Sequence, residues 1–485
     1  ILSGLVGSEM CIRDRYNTVY QVLILILPLI TAPYVSRTLG ATGVGIYSST
    51  AAWLGYFVLA GGLGITLYGN REIAYHQKDK EARSRIFYEL LSLKFITVGV
   101  AIIAYLIFIL FQNKWEFYFL LQGITLVAVA FDVSWFFMGL ENFKVIVVRN
   151  TIIRLLLTVA IFVFVRTPND LWLYILLLAL STLIGNITVW PFLRRELMKI
   201  PVRSLNIFQH LRPVTMLLLP QVSITIYTSL NKNLLQIFSG LDSVAYFTQT
   251  YMIIILGATL VSSFNSAFLP HLSGLFSSGE SEKVKPLILK SIDLGNCISI
   301  LCISGIIGVS QTFAVFYFGK NFAPVGSLLA VGSLTIFFLA LTNALSTQYL
   351  LAAKKMHEYM MSTVVGLIVN VLFNLTLIPI LGTMGAIIAT ILTEVSVATY
   401  ILWKLRDLFA VKEVFHGLWK YIIGGAFVFI FLDFVNKNFP ISILNYLIQT
   451  IIAILIYIIT LYILRAPANS CLLYTSPSPR DQRGS

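Results

Sequence analysis

The stretch "QVLILILPLITAPYVSRTLGATGVGIYSSTAAWLGYFVLAGGLG" (Gln21–Gly64) contains a single charged residue, Arg37, in an apolar run punctuated by Pro28, Pro33 and a glycine-rich turn. About 20 mostly apolar residues carry a helix across a bilayer, so this stretch reads as two crossings joined at "LGATG". The rest of the chain repeats the pattern. Apolar residues make up 58% of it and charged residues 11%, against roughly 25% charged in soluble domains. An all-α polytopic membrane protein with about 14 transmembrane helices is therefore expected. Its spans fall at 17–36, 44–68, 86–111, 117–138, 145–165, 171–193, 213–238, 244–269, 286–310, 324–350, 359–380, 384–403, 417–435 and 443–464.

Both ends depart from this composition. "GLVGSEMCIRDR" near the start and "CLLYTSPSPRDQRGS" at the close can be one DNA segment read in opposite directions, because a permitted codon choice for Leu5–Asp14, continued into the codons of Gly4 and Arg15, has a reverse complement that encodes Cys471–Asp481. Residues 1–15 and 470–485 are read as translated adapter sequence rather than native protein. Removing Arg13, Arg15, Arg480, Arg483, Glu9, Asp14 and Asp481 leaves 30 Lys+Arg against 18 Asp+Glu, a net charge of +12. Cys297 and Cys302 then remain, in an apolar segment, and imply neither a disulfide framework nor a metal site.

Charge sets the expected orientation. With the N-terminus inside, the cytoplasmic loops hold nineteen Lys/Arg and the outer loops five: Arg37, Lys114, Arg166, Lys320 and Lys437. That asymmetry follows the positive-inside rule and puts both termini in the cytoplasm. The basic excess reports topology and contact with bilayer lipids; nucleic acid is not invoked. No loop is long and polar enough to build a soluble domain or an outer catalytic site.

The chain echoes itself. Pro28, Gly40, Gly43, Gly45 and Tyr47 in the first two spans are matched, weakly, by Pro220, Gly240, Val244 and Tyr246 in spans seven and eight. Repeated halves with interrupted helices are a common build of secondary transporters. The expected organisation is an N-terminal lobe over 16–212 (spans 1–6), a C-terminal lobe over 213–403 (spans 7–12), a central cavity, and two peripheral helices over 404–469.

Ionisable residues within spans cost ~2.5–3.5 kcal/mol each at a helix centre and tend to face a cavity or a partner. Lys94 can snorkel to the inner interface or pair with Asp132. Asn150 and Arg154 share one face of span five, beside Arg149. Lys290 and Asp293, three apart, are expected to neutralise each other. Lys232 lies in span seven and Glu394 in span twelve; Arg37 and Arg71 close the first two spans. The N-terminal lobe thus sets Arg37, Arg71, Lys94, Arg149 and Arg154 against essentially Asp132. Arginine offers paired donors to phosphate and stays charged, so such a lobe suits a doubly charged anionic headgroup such as a diphosphate. A site for cationic drugs would more naturally carry carboxylates and aromatics. "GATGVG" (Gly40–Gly45) follows a membrane helix rather than a strand and is a turn, not a nucleotide loop. No P-loop, zinc-protease pattern or catalytic cluster is present, so neither an enzyme nor a cofactor is expected.

Several ordered motifs carry a family resemblance. "YNTVYQVLILILPLITAPYVSRTLG", "GIYSS" and "YGNREIA" in the first lobe, "FDVSWFFMGLENF" (Phe131–Phe143), "FGKNFAP" (Phe318–Pro324) and "NVLFNLTLIPILGTMGAIIATILTE" (Asn370–Glu394) resemble Wzx-type flippases of the multidrug/oligosaccharidyl-lipid/polysaccharide exporter superfamily. The resemblance implies movement of undecaprenyl-diphosphate-linked oligosaccharide repeat units across the bacterial cytoplasmic membrane by alternating access, for capsule, exopolysaccharide or O-antigen synthesis. Polysaccharide polymerase and glycosyltransferases would be partners. Arg37, Arg71, Lys94, Arg149, Arg154 and Lys232 are the residues expected to meet the diphosphate and sugar. Where many relatives have an aspartate before the span-seven lysine, this chain has Asn231, so Asp132 and Glu394 become the candidates for coupling to a proton or sodium ion. A lipid II flippase or cation-coupled multidrug antiporter of the same superfamily, and more remotely a membrane enzyme such as a repeat-unit polymerase, are the competing readings.

Overall fold

The structure, a computed structural model, describes residues 2–468 except 267, 269–271, 273, 277 and 279–280. Side chains are described from residue 26, except at 143–144, 202, 217, 219–220, 265–266 and 281. The expected adapter segment 470–485, and the side chains of 1–15, lie outside the described residues. Helices account for nearly all of the remainder, and no strand occurs among the described residues. Twelve helices are long and apolar enough to cross a membrane, or thirteen with the pair Ile207–Met216 and Gln221–Ser239, bent by 62°. The sequence predicts fourteen. The difference lies at the start, where Ile26–Tyr75 runs for 50 residues. At 1.5 Å per residue that is roughly 75 Å, more than twice the hydrocarbon thickness. The run contains the second expected span and the latter part of the first, and its backbone breaks between them at Gly40 (φ 70°, ψ 179°).

The described chain divides into two compact units, residues 1–236 with 240–245, and residues 237–239 with 246–485. This division falls one helix later than the lobe boundary expected at 212; span seven is grouped with the first six, and on it Gln236 accepts from Trp53 Nε1 at 3.2 Å and Asn233 donates to the Tyr56 hydroxyl at 3.0 Å.

The first unit contains α1 (Leu2–Gly62), α2 (Ile65–Tyr75), α3 (Lys80–Leu110), α4 (Glu116–Phe131), α5 (Ser134–Gly139), α6 (Phe143–Phe164), α7 (Leu171–Ile187), α8 (Trp190–Glu196), most of α9 (Leu211–Ser239) and the first residues of α10 (Leu241–Ser266). The sequence echo has a structural counterpart here. Gly240, between α9 and α10, has φ 85° and ψ 176°, matching Gly40. Only glycine adopts that region without strain. The two turns meet: Thr42 Oγ1 donates to Asp242 Oδ1 at 2.8 Å, and Gly45 sits against the Leu241 carbonyl, where a Cβ would collide.

Span four is interrupted rather than continuous. α4 ends at Phe131, Asp132 is extended, and α5 starts at Ser134. A helix end leaves its last carbonyls without partners, and inside hydrocarbon each must be satisfied by protein. Other helices supply the donors. Asn186 Nδ2 reaches the Ala128 carbonyl at 2.8 Å, Trp190 Nε1 the Phe131 carbonyl at 2.9 Å, and Lys94 Nζ the Asp132 carbonyl at 2.7 Å. Asp132 Oδ1 accepts from Ser134 N at 3.0 Å and Ser134 Oγ at 2.6 Å, closing the start of α5. α5 is pinned by glycines: a Cβ on Gly69 would overlap the Trp135 indole, and one on Gly139 would overlap Ile73. Trp135 is fully buried and stacks on Phe87, with ring centroids 5.6 Å apart.

The second unit continues with α11 (Ser281–Phe318), α12 (Pro324–Gly332), α13 (Thr335–Asn343), α14 (Met356–Leu381), α15 (Thr383–Lys404), α16 (Val411–Val414), α17 (Leu418–Asn438) and α18 (Ile443–Ile463). α14 and α15 form a hairpin turned at Gly382 (φ 56°). The two final spans, α17 and α18, pack on α11, where Tyr457 donates to the Cys297 carbonyl at 2.8 Å. Asp293 departs from expectation. It accepts from Tyr421 of α17 at 2.7 Å, while Lys290 is exposed and makes no ion pair with it among the described residues. A three-residue spacing permits a pair; the hydroxyl of a packed neighbouring helix took the carboxylate instead.

Candidate functional site

α6 is 22 residues long, and Arg154 lies roughly 16 Å along it, near its middle. The same helix places Arg149, Asn150, Ile153, Arg154 and Leu157 on one face, at helical spacing. That face lines a cavity of about 550 Å³ within the first unit. Opposite it stand a stripe of α1 from Tyr47 to Val58, Gln122 and Thr125 of α4, and Ser181, Thr182, Gly185 and Asn186 of α7. Two guanidinium groups and seven uncharged polar side chains face this space; among the described residues that line it there is no carboxylate.

The two arginines differ in their surroundings. Arg149 Nη1 donates to the Gly185 carbonyl on α7 at 3.0 Å, and Nε donates to Asn150 Oδ1 at 2.9 Å. It therefore bridges α6 and α7, and it lies within electrostatic reach of Asp132. Among the described residues no side-chain hydrogen bond or ion pair holds the Arg154 guanidinium. A charge at mid-helix with no protein counter-ion is costly and is ready to receive an anion. The cavity wall around it is fixed. Gln122 Nε2 donates to Thr50 Oγ1 at 3.3 Å, Asn186 is held by the Ala128 carbonyl, and the Tyr47 ring meets Tyr174 edge-on at 5.2 Å.

Of the residues expected at the site, the cavity gathers Arg149 and Arg154. Lys94 is elsewhere: it is 1% exposed, and besides the Asp132 carbonyl it faces Asp132 Oδ2 at 3.5 Å. Asp132 is committed to Lys94 and Ser134, so both serve the interruption of span four. Arg71 lies over the Tyr68 ring at 5.5 Å and pairs with Glu72 at 3.2 Å. Arg37 is exposed outside the cavity, and Lys232 is half-buried on α9 outside it. Glu394 is buried in the second unit. Sequence reasoning misses the polar wall on α4 and α7. Its signal is present in "LALSTLIGNI": Leu178, Ser181, Thr182, Gly185 and Asn186 recur at intervals of three and four on a leucine-rich helix. Among the described residues no cluster of His, Cys, Asp and Glu is placed to hold a metal ion.

A dozen or more apolar helices, with a basic, polar cavity within the first unit, are the build of a multi-pass membrane transporter. The chain belongs to the polysaccharide biosynthesis protein family, which matches it over residues 15–276. Two relatives, both provisionally named O-antigen transporters, are similar along most of their length. The one from Shigella dysenteriae is 24% identical over 389 residues, covering 79% of this chain and 96% of the relative. The one from Escherichia coli (strain K12) is 23% identical over 413 residues, covering 81% and 97%. The solved structure of the lipid II flippase MurJ, in an inward closed conformation, superposes with a TM-score of 0.75 at 14% identity, covering 95% of this chain and all of MurJ. At that identity the likeness shows a shared fold.

Proposed function

We propose that this protein flips lipid-linked oligosaccharide repeat units across the bacterial cytoplasmic membrane, with the diphosphate of the carrier lipid received at Arg154 and Arg149. One observation carries the reading: the first unit sets two half-buried arginines around a cavity whose described lining has no carboxylate. Such a space attracts a dianion and repels a cation, which also weighs against a cationic-drug antiporter. Arginine meets phosphate oxygens with paired donors. The uncharged amides and hydroxyls of Gln122, Asn150, Ser181, Thr182 and Asn186 are of the kind that hydrogen-bond sugar hydroxyls. O-antigen, capsule or exopolysaccharide would be the product, and the glycosyltransferases and polymerase that build and consume the repeat unit would be functional partners. Nineteen basic residues in alternate loops support a cytoplasmic position for both termini. Of the two carboxylates considered for ion coupling, Glu394 is favoured, since Asp132 is occupied by Lys94 and Ser134.

The test is export in cells lacking their own flippase. Restored surface polysaccharide is expected from the wild-type chain and its loss from Arg149→Ala/Arg154→Ala, with the variant present in the membrane at normal abundance. Normal polysaccharide from that variant would overturn the diphosphate assignment.

A further inference from the structure

A lipid-linked oligosaccharide has two ends with opposite requirements. Its charged, hydroxylated head needs a polar cavity, whereas its isoprenoid chain gains nothing by leaving hydrocarbon. The cavity that receives the head must therefore be open on one wall to the bilayer, and the phosphates must sit at that opening.

In the first unit the wall between α6 and α7 stands beside an apolar groove. An apolar groove of about 490 Å³ runs between α6 and the α7–α8 segment, formed largely by Val148, Ile152, Val189 and Phe192. Val148, Ile152 and Phe192 are 41%, 51% and 48% exposed on the protein's surface. The groove adjoins the basic cavity, because Arg149 and Ile153 line both. Between the two spaces the Arg149 guanidinium reaches across to the Gly185 carbonyl, with Gly185 beside Ile153. A Cβ added to Gly185 would meet Ile153 in ordinary van der Waals contact at 3.9 Å, without overlap.

We propose that the isoprenoid chain of the substrate leaves the cavity through the α6–α7 seam and lies in this groove, with the diphosphate between Arg149 and Arg154. The inference rests on the flippase reading and adds to it a tail subsite and a lateral exit. Charge complementarity fixes the occupant. A neutral lipid chain has no use for a guanidinium at the inner end of an apolar groove, whereas a polyprenyl diphosphate carries its dianion at that point. Arg149 then meets the diphosphate at the boundary, and Arg154 meets it farther inside.

Photo-crosslinking tests this. Benzoylphenylalanine is placed at Ile152 in the groove, or at Ile96 on α3, a comparably exposed apolar position (46%) away from it. The full chain in lipid nanodiscs is irradiated with labelled undecaprenyl diphosphate or with undecaprenol, which shares the tail and lacks the anion. The diphosphate should label position 152 about ten-fold more than position 96, the ratio given by a preference of ~1.4 kcal/mol for the groove over bulk lipid. Undecaprenol should show no such preference. Equal labelling at the two positions, or equal enrichment of undecaprenol at 152, overturns the proposal, because the groove would then hold any lipid chain. In parallel, Ile152→Trp fills the groove and should cut polysaccharide export about ten-fold while Ile96→Trp does not. Normal export from Ile152→Trp together with lost export from Arg154→Ala would overturn the lateral exit and leave the flippase reading standing. Normal export from Arg149→Ala/Arg154→Ala would remove that reading, and the tail subsite with it.

Discussion

Replacing Lys94 separates a structural role from a substrate-binding one. Its ammonium is 1% exposed, 2.7 Å from the Asp132 carbonyl and 3.5 Å from Asp132 Oδ2. In Lys94→Met the apolar stem is largely kept, but both acceptors lose their cation at the interruption of span four. Removing one partner of a buried ion pair costs about 3–5 kcal/mol, because the remaining charge is left uncompensated. We expect Lys94→Met to lose about that much stability, read as a large drop in the temperature at which the detergent-solubilised protein leaves its monodisperse peak. Lys94→Met/Asp132→Asn removes both charges and should recover more than half of the loss, a coupling that a double-mutant cycle measures directly. Export should follow stability through the series. A Lys94→Met protein with wild-type thermal stability and abolished export would refute this reasoning and return Lys94 to the substrate.

Two further perturbations test the same packing. Glu89 is buried and accepts from Asn206 N at 2.7 Å, Gln209 Nε2 at 3.0 Å and His210 Nε2 at 2.8 Å, while His210 Nδ1 contacts the Tyr68 hydroxyl at 3.0 Å. Glu89→Ala leaves the buried His210 without its acceptor, at about 1–3 kcal/mol; it should lower thermal stability and speed protease cleavage of the segment 197–210, and unchanged cleavage would contradict the clamp. Gly69→Ala should disrupt folding, because its Cβ would overlap the Trp135 indole, whereas Gly185→Ala should be tolerated at 3.9 Å from Ile153; comparable yields of properly inserted protein for the two variants would contradict the packing.

Much of the fold was legible because membrane helices obey a simple length and polarity rule, and long apolar runs such as Gln21–Gly64 leave few alternatives. The pairing of Gly40 with Gly240 was legible as a weak echo, and the structure sharpened it into matching backbone angles. The interruption at Asp132 was not legible. "FDVSW" contains neither proline nor glycine, and the break depends on Asn186, Trp190 and Lys94 reaching its carbonyls from other helices. Arg149 and Arg154 could be read as site residues because a charge in an apolar span needs a reason. Lys94 satisfied the same rule for a different reason, since a positive group suits the C-terminal end of a helix as well as it suits a phosphate. The neutral wall of Gln122, Ser181, Thr182 and Asn186 carried no charge to attract notice, and only its helical spacing marked it.

The role of Arg154 as the receiver of a diphosphate is tested most directly by binding. Titrating undecaprenyl diphosphate into wild-type and Arg154→Gln protein in nanodiscs should show weakening of about ten- to a hundred-fold, as expected for losing charge-assisted hydrogen bonds worth ~1.5–3 kcal/mol. Undecaprenol should bind both proteins equally weakly. Equal affinity of wild type and Arg154→Gln for the diphosphate would contradict the account.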